Sequence, residues 1–335
     1  MPPGRIVCKL PVLSRVEVRC PLPEELLSLS GVEKRYGERL ALRGVSFSIA
    51  RGEAVGYLGP NGAGKTTTLK MLAGLGRPSA GSVRVFGQDP ERARAPFRRI
   101  GVLHETPGLV PYVHGADLLD HVARVKHVPS AERAEHVRRI ADALGISEQL
   151  TRPIGALSTG LQRRLLLGGA LVGDPELLLL DEPTLGLDPA ARGDFRRLLK
   201  SQRNEGRTIL LSTHLLEDVA EVCGRVLFLR DGRLVGDEPV DLPTVDAQGR
   251  RIRELTLHFA QDLPPLPWAF LTSAADSVER AGPREVRVRL ADDDRAQAAV
   301  IAAVVGAGLS LLQATLSTPG LAVRYLEKVG REDGE

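Results

Sequence analysis

Apolar residues follow different periods in different parts of the chain. Over residues 26–29 and again over residues 45–49, apolar residues alternate with polar ones, as in strands with one buried face. Residues 54–58, 177–180 and 208–211 are instead short, nearly continuous apolar runs. Such runs are typical of parallel strands that are covered on both faces. The chain is therefore expected to combine a solvent-facing antiparallel sheet with a buried parallel one.

Between these strand-like segments the period changes to that of a helix. From about Glu91 apolar residues recur at spacings of three and four, as at Leu118, Leu119, Val122 and Val125. We assign a helical subdomain to about residues 97–173 and expect a crossover helix over residues 190–200. The order of strands and helices indicates an α/β core that carries an inserted helical subdomain.

The two ends of the chain differ from this core. Residues 1–24 contain five prolines and no strong period, so they are expected to be an irregular N-terminal extension. A break over residues 239–249 precedes three candidate strands, at 254–259, 286–290 and 309–316, and an apolar helix at 292–305. We therefore expect residues 250–335 to form a small accessory α+β domain.

Composition narrows the class of protein. With 335 residues, 26% charged and 43% hydrophobic, the chain is long enough for two globular domains. The net charge of +3 is small, and the arginines between residues 92 and 99 have no aromatic neighbours for base stacking, so we expect no nucleic-acid partner. The longest apolar stretch, residues 298–312, is shorter than the roughly 20 residues of a bilayer span. The chain is not expected to cross a membrane itself.

One loop carries the strongest chemical signal. Eight residues match the phosphate-binding spacing Gly-x-x-x-x-Gly-Lys-Ser/Thr: Gly59, Pro60, Asn61, Gly62, Ala63, Gly64, Lys65 and Thr66. The glycines let backbone N–H groups turn inward around phosphate oxygens, and the helix that follows points its positive end at the same anion. We expect Lys65 to reach the β- and γ-phosphates, Thr66 to ligate Mg²⁺, and Thr67 to lie beside the nucleotide. The loop predicts a P-loop NTPase core.

A second motif follows the apolar run at residues 177–180. Asp181 and Glu182 come directly after it, at the carboxyl end of the predicted strand, which is where α/β folds bind ligands. We expect Asp181 to hold Mg²⁺ largely through water and Glu182 to act as the general base that activates the attacking water.

With these motifs in this order, residues 25–240 resemble the ATP-binding subunits of ABC transporters. Tyr36 matches the aromatic residue that stacks on adenine in that family. Residues 157–162 are similar to the family's signature sequence, and residues 183–189, which include Asp188, to its dimer-contact loop. His214 corresponds to the family's switch histidine, which contacts the γ-phosphate.

The resemblance implies a head-to-tail dimer that holds two ATP molecules. Each ATP is expected to lie between Lys65 of one copy and Ser158 and Gly160 of the other. The residue types agree, because Ser158 and Gly160 open a predicted helix and so offer a hydroxyl and free N–H groups to an anion. ATP and Mg²⁺ are the implied ligands.

This sequence departs from the family pattern at two places. Glu105 stands where the family usually has glutamine, so it is expected to contact water or Mg²⁺ but adds a negative charge. In the signature sequence, Thr159 replaces a glycine. The helix after it also contains Gly168 and Gly169, which disfavour a helix by about 1 kcal/mol each relative to alanine. We therefore expect neighbouring segments to pack closely there.

The resemblance favours one function over two others. The chain is expected to be the ATPase subunit of a transporter, peripheral on the cytoplasmic face of the membrane, and to contact a separate integral membrane permease through residues 105–120. The sequence ending, residues 319–330, is similar to ATPases of drug, polysaccharide, lipid or sodium exporters. A soluble ABC ATPase that acts on ribosomes or DNA is the alternative. A kinase or GTPase is disfavoured by Ser158 and His214.

Overall fold

The computed structural model describes most of the chain. The described residues are 24–93, 95–105, 108–240, 244–245, 250–263, 275–291, 293–317 and 321–329. All but one of the residues assigned to the N-terminal extension lie outside them.

The first sheet is antiparallel and has three strands in the order β2-β1-β4. They are β1 (Glu25–Tyr36), β2 (Arg39–Ala50) and β4 (Ala80–Val85). Leu29 pairs with Phe47 on one side and with Val83 on the other, and all three side chains are buried. The predicted alternation thus places one face of this sheet on the core.

The second sheet has six strands in the order β5-β6-β7-β3-β8-β9, of which only β9 is antiparallel to its neighbour. Its strands are β3 (Ala54–Leu58), β5 (Ile100–Leu103), β6 (Leu177–Asp181), β7 (Thr208–Thr213), β8 (Arg225–Arg230) and β9 (Arg233–Pro239). Every residue of β3, β6 and β7 is buried, as their continuous apolar runs predict. The carboxyl ends of these three strands meet at one edge of the sheet.

Six helices accompany the two sheets. They are α1 (Lys65–Leu72), α2 (Gly115–Val125), α3 (Arg133–Leu144), α4 (Thr159–Leu171), α5 (Pro189–Asn204) and α6 (Leu216–Val222). Helices α2, α3 and α4 lie between β5 and β6 in the chain and pack on one another. A Cβ atom at Gly168 of α4 would lie 3.2 Å from Leu144, whereas one at Gly169 would meet no atom within 4 Å. The close packing expected at both glycines occurs at Gly168.

A separate core holds the C-terminal sheet. Its elements are β10 (Thr244–Val245), β11 (Arg251–Phe259), β12 (Ser277–Gly282), β13 (Glu285–Ala291), α7 (Asp294–Gly306) and β14 (Leu311–Ser317). β11 pairs with β13 on one edge and with β10 and β14 on the other. The apolar face of the sheet packs on Val300 and Val304 of α7.

The last helix, α8 (Leu321–Val329), packs on the hydrophobic core that the second sheet forms with the helices around it. Its Leu321 and Val329 are buried there, and the Tyr325 ring lies 6.3 Å from that of Phe228 in β8. Arg324 donates a 2.9 Å hydrogen bond to Glu238 of β9. The apolar side of α8 thus packs on this core, although residues 321–329 fall within the segment 250–335 that the sequence assigns to the accessory unit. No helix in the described ranges is long and apolar enough to span a bilayer.

An ion-pair cluster lies at the amino edge of the second sheet. Glu176, just before β6, accepts a 2.9 Å hydrogen bond from Arg99 and pairs with Arg51 before β3. These hydrogen bonds, led by that of Arg99, lower the pKa of Glu176 to about 2. A carboxylate with a lowered folded-state pKa stabilises the fold above its unfolded pKa, and this contribution is lost as the pH falls through the folded value.

We therefore expect Glu176→Gln to lower the urea midpoint at pH 7. The deficit relative to wild type should shrink between about pH 4.5 and pH 2, where the wild-type carboxylate takes up its proton. Glu135→Gln is the control, because Glu135 is an exposed partner of Arg138 on the same helix turn. A deficit that stays constant from pH 7 to pH 3 would show that Glu176 does not act through its charge.

Candidate functional site

The phosphate loop joins β3 to α1 and requires glycine at three positions. A Cβ atom at Gly59 would lie 2.3 Å from the carbonyl oxygen of Leu229, and one at Gly64 would lie 2.6 Å from the side chain of Leu42. Gly62 and Gly64 also have positive φ angles, of 80° and 110°. Only glycines at these positions let the loop lie this close to β2 and β8.

The loop forms one wall of a cleft of about 520 Å³. The cleft is lined by Tyr36, Arg39, Ala41, Asn61, Gly62, Gly64, Lys65, Thr66, Thr67, Glu105 and Glu182. Nine of these eleven residues were predicted from the sequence. The lining comes from the first sheet, the loop, the start of α1 and the segments after β5 and β6. The structure thus gathers residues up to 146 positions apart, from Tyr36 to Glu182, around one concave surface.

Lys65 is only 6% exposed although it carries a charge. Its Nζ donates to the carbonyl oxygens of Gly59, at 2.7 Å, and Pro60, at 3.2 Å. The same nitrogen lies 3.5 Å from Oε1 of Glu182. These contacts hold the ammonium group over the loop, at the position from which it can pair with phosphate oxygens.

Glu182 lies at the carboxyl end of β6 and is held from two sides. Its Oε2 is 3.0 Å from Nδ1 of His214, and its backbone N–H donates to the carbonyl of Ser212 at 2.9 Å. Its φ angle of 45° is in the left-handed region, which is uncommon for a glutamate. The side chain is 7% exposed. The ends of β6 and β7 therefore fix this carboxylate in one orientation.

Asp181, the preceding residue, has one satisfied and one unsatisfied oxygen. Its Oδ1 accepts a 2.8 Å hydrogen bond from the Ser212 hydroxyl, while the buried Oδ2 has no hydrogen-bond partner among the described residues. A buried carboxylate oxygen is costly unless a donor, water or cation meets it. The described residues contain no group of three or more histidine, cysteine or carboxylate side chains able to enclose a metal ion. The arrangement suits a cation that takes most of its ligands from water and phosphate, as Mg²⁺ does.

Glu105 lines the cleft, and its backbone is held by a contact that the sequence did not reveal. Arg163 of α4 donates a 3.0 Å hydrogen bond to the Glu105 carbonyl oxygen. Burial lowers the pKa of Arg163, which is 9% exposed. The helix that opens with Ser158 therefore also positions the backbone of Glu105. No local pattern marks Arg163, because its partner is 58 residues away.

Ser158, Gly160 and Asp188 lie together at two neighbouring helix starts, outside the lining of the cleft. Ser158 caps α4 by accepting a 3.3 Å hydrogen bond from the N–H of Leu161, and Asp188 caps α5 by accepting one of 2.9 Å from Ala191. A Cβ atom at Gly160 would lie 3.7 Å from that of Ala191, so the two helix starts are neighbours. None of these three residues lines the described cleft.

Arg39 is a cleft residue that the sequence analysis missed. It is exposed, it lies three residues after Tyr36, and its guanidinium is 3.5 Å from the place that a Cβ atom of Gly62 would occupy. Within the described part of the chain its side chain makes no hydrogen bond or ion pair. Its position beside the aromatic residue, near the start of the next strand, is the only signal that sequence alone could have offered.

Comparison with known proteins identifies the family of the chain. A family model described as ABC transporter matches residues 42–185. Nod factor export ATP-binding protein I of Ralstonia nicotianae is 36% identical over 259 residues, which cover 77% of this chain and 79% of that protein. The protein of the same name from Burkholderia orbicola is 40% identical over 212 residues, 63% of this chain and 70% of its own.

Solved structures give the same result. The ATP-binding subunit of an ABC transporter superposes with a TM-score of 0.59 at 28% identity, over 64% of this chain and 90% of its own. A dimeric bacterial ABC transporter cassette has a TM-score of 0.59 at 26% identity, over 64% of this chain and 98% of its own. A dimeric post-hydrolysis cassette bound to ADP and phosphate has the same TM-score at 25% identity and the same coverage. The P-loop fold predicted from the motifs is confirmed, and the chain belongs to the ATP-binding, ATP-hydrolysing subunits of the ABC transporter family.

Proposed function

We propose that this chain is the motor subunit of a membrane exporter and that two copies close around two ATP molecules. The observation that carries the proposal is the division of the site. Lys65, Glu182 and His214 meet within one chain, while Ser158 and Gly160 lie outside the cleft on another helix start. The export role is supported by the relatives, which are named as export ATP-binding proteins.

ATP would enter the cleft with its adenine at Tyr36. Tyr36 is 52% exposed and lines the cleft. The Lys34 ammonium group lies over one face of its ring, 5.1 Å from the centroid, so the other face would take the adenine. The phosphates would lie in the loop from Gly59 to Thr66, against its N–H groups and the positive end of α1. Lys65 would then exchange its loop carbonyl contacts for phosphate oxygens.

Mg²⁺ fits the residues beside the phosphates. Thr66 and Glu105 line the cleft. Asp181, which directly precedes Glu182, has a buried Oδ2 with no hydrogen-bond partner among the described residues. These three residues would hold the ion, directly or through water. When bound, Mg²⁺ neutralises part of the charge that the phosphates carry.

Hydrolysis requires a base that takes a proton from the attacking water. Glu182 is the candidate, because Lys65 on one oxygen and His214 on the other hold its carboxylate at the cleft wall. His214 would also donate to the γ-phosphate once nucleotide is bound. The second copy would supply Ser158 and Gly160 to the same γ-phosphate, and Asp188 would lie at the contact between copies.

The segment after Glu105 is proposed to contact an integral membrane permease. It presents Tyr112 at 79% exposure and Val110 at 40%, both apolar and close in the chain to the cleft. Exposed apolar side chains of this kind mark contact surfaces. The chain would thus lie at the cytoplasmic face of the membrane as a peripheral subunit. The alternative, a soluble ATPase that acts on ribosomes or DNA, is not favoured by the named relatives.

The test is co-expression with a polytopic membrane protein, where one is encoded beside this gene. We expect the chain to remain with washed membranes and its ATPase activity to rise several-fold there. Tyr112→Glu should release it, while Leu312→Glu, a change at a 71% exposed residue of the accessory domain, should not. Stimulation by RNA or DNA, with no retention on membranes, would support the alternative instead.

Arg39 is expected to strengthen nucleotide binding. The Arg39 cation lies beside Gly62 and pairs with no carboxylate in the described ranges of the chain. Arg39→Gln should therefore raise the Kd for ATP about tenfold, the loss of one charge-assisted hydrogen bond. Binding of fluorescent ATP measures this, and binding of adenosine should be unchanged. Arg43→Gln, at an exposed arginine farther along β2, is the control. An equal loss for ATP and adenosine would mean that Arg39 does not contact phosphate.

A further inference from the structure

A buried hydroxyl–carboxylate pair joins the dimer-contact loop to the helix after His214. The hydroxyl of Thr184 donates to Oδ2 of Asp218, the third residue of α6. Both residues are 0% exposed. A buried carboxylate is costly unless its oxygens have partners, so this pair needs a reason to be kept.

The second oxygen of Asp218 faces α5. Arg196 lies 3.3 Å from Oδ1 of Asp218 and 3.3 Å from the exposed Glu217. Burial raises the pKa of Asp218, whereas the Thr184 hydroxyl and Arg196 favour its charged form. The carboxylate is therefore shared between a structural contact to α5 and a contact to the loop.

The hydrogen bond from Thr184 to Asp218 is one of three contacts that join the same two parts of the chain. Glu182 makes the other two: its backbone N–H donates to the Ser212 carbonyl oxygen, and its carboxylate lies 3.0 Å from Nδ1 of His214. All three run from the segment that contains the end of β7 and α6 to residues 182–184. Since Glu182 has a φ angle of 45°, an anchor two residues later helps to keep its turn in this conformation.

The contacts between α5 and α6 do not need Thr184. Lys200 lies 2.9 Å from Glu221, and Arg196 reaches Glu217 as well as Asp218. These pairs would hold the two helices together if the threonine hydroxyl were removed. The Thr184 hydroxyl thus serves the loop that carries Glu182 rather than the packing of the helices.

We propose that Asp218 is a positioning residue for hydrolysis, which holds the turn carrying Glu182 in register with His214 through Thr184. The proposal rests on the role of Glu182 as general base proposed above. Because neither Thr184 nor Asp218 lines the described cleft, the pair acts on the orientation of the base and not on nucleotide affinity.

The test compares Thr184→Val, which removes the hydroxyl at nearly constant volume, with Thr184→Ser, which keeps it. Thr184→Val should lower kcat about tenfold and leave the Kd for ATP within about twofold. Thr184→Ser should restore kcat. Combining Thr184→Val with His214→Ala should cost less than the product of the single losses, because both act on Glu182. Glu217→Gln, which removes a 75% exposed carboxylate from the same arginine, is the control.

Two further readouts keep the outcomes separate. Activity is measured well below the Tm of each variant. A variant that simply fails to fold is recognised by a lower Tm together with a parallel loss of ATP binding. Unchanged kcat in folded Thr184→Val, or no recovery in Thr184→Ser, would overturn the positioning role. If Glu182→Gln itself kept full activity, the proposed base would be wrong, and that result does not depend on Thr184.

Discussion

Replacing Glu182 with glutamine is expected to lower kcat for ATP hydrolysis at least about a hundredfold, the usual contribution of a general base. Glutamine keeps the shape of the side chain but cannot accept the proton of the attacking water. Affinity for ATP should be retained, because Lys65 loses only the carboxylate 3.5 Å from its ammonium group. Phosphate release and equilibrium binding of ATP measure the two effects.

Glu205→Gln is the matched control, since Glu205 is 53% exposed and lies after α5, away from the cleft. It should leave kcat unchanged. Hydrolysis by Glu182→Gln at more than about a tenth of the wild-type rate would assign the proton transfer to another group.

Replacing Lys65 with alanine is expected to have the largest effect on binding. The 6% exposed ammonium group is the cation nearest to the loop, and hydrogen bonds from a charged donor to phosphate are among the strongest in proteins. The Kd for ATP should rise about thirtyfold or more, and kcat/KM should fall with it. Titration with ATP, by calorimetry or fluorescence, gives the value.

Lys70→Ala is the control for charge and helix propensity, because Lys70 is an exposed residue of the same helix. Its ATP affinity should match that of wild type. If Lys65→Ala bound ATP as tightly as Lys70→Ala, the nucleotide would not lie on this loop.

Local sequence predicted the parts of the fold whose causes are local. The strand Ala54–Leu58 has the bounds that its apolar run predicts, because a segment covered on both faces has no polar position to alter the pattern. Ser158 was predicted to open a helix, and it caps α4, since a serine N-cap satisfies the N–H groups of the same turn.

Tertiary contacts set the features that sequence could not reveal. The spacing of apolar residues in α8 would suit packing on either core. Only the structure places Tyr325 against Phe228. Likewise, Arg163 reaches Glu105 and Thr184 reaches Asp218 across 58 and 34 residues. In each case the partner lies on another element, so neither residue type nor spacing marks it.

Light scattering of purified Glu182→Gln, with ATP and with ADP, tests most directly whether two chains share each nucleotide. With ATP the mass should double from the 36.1 kDa of one chain, since the Ser158 helix start of one copy has a γ-phosphate to bind on the other. With ADP it should stay at one chain. A mass of one chain at saturating ATP, with ATP shown to be bound, would contradict the composite site.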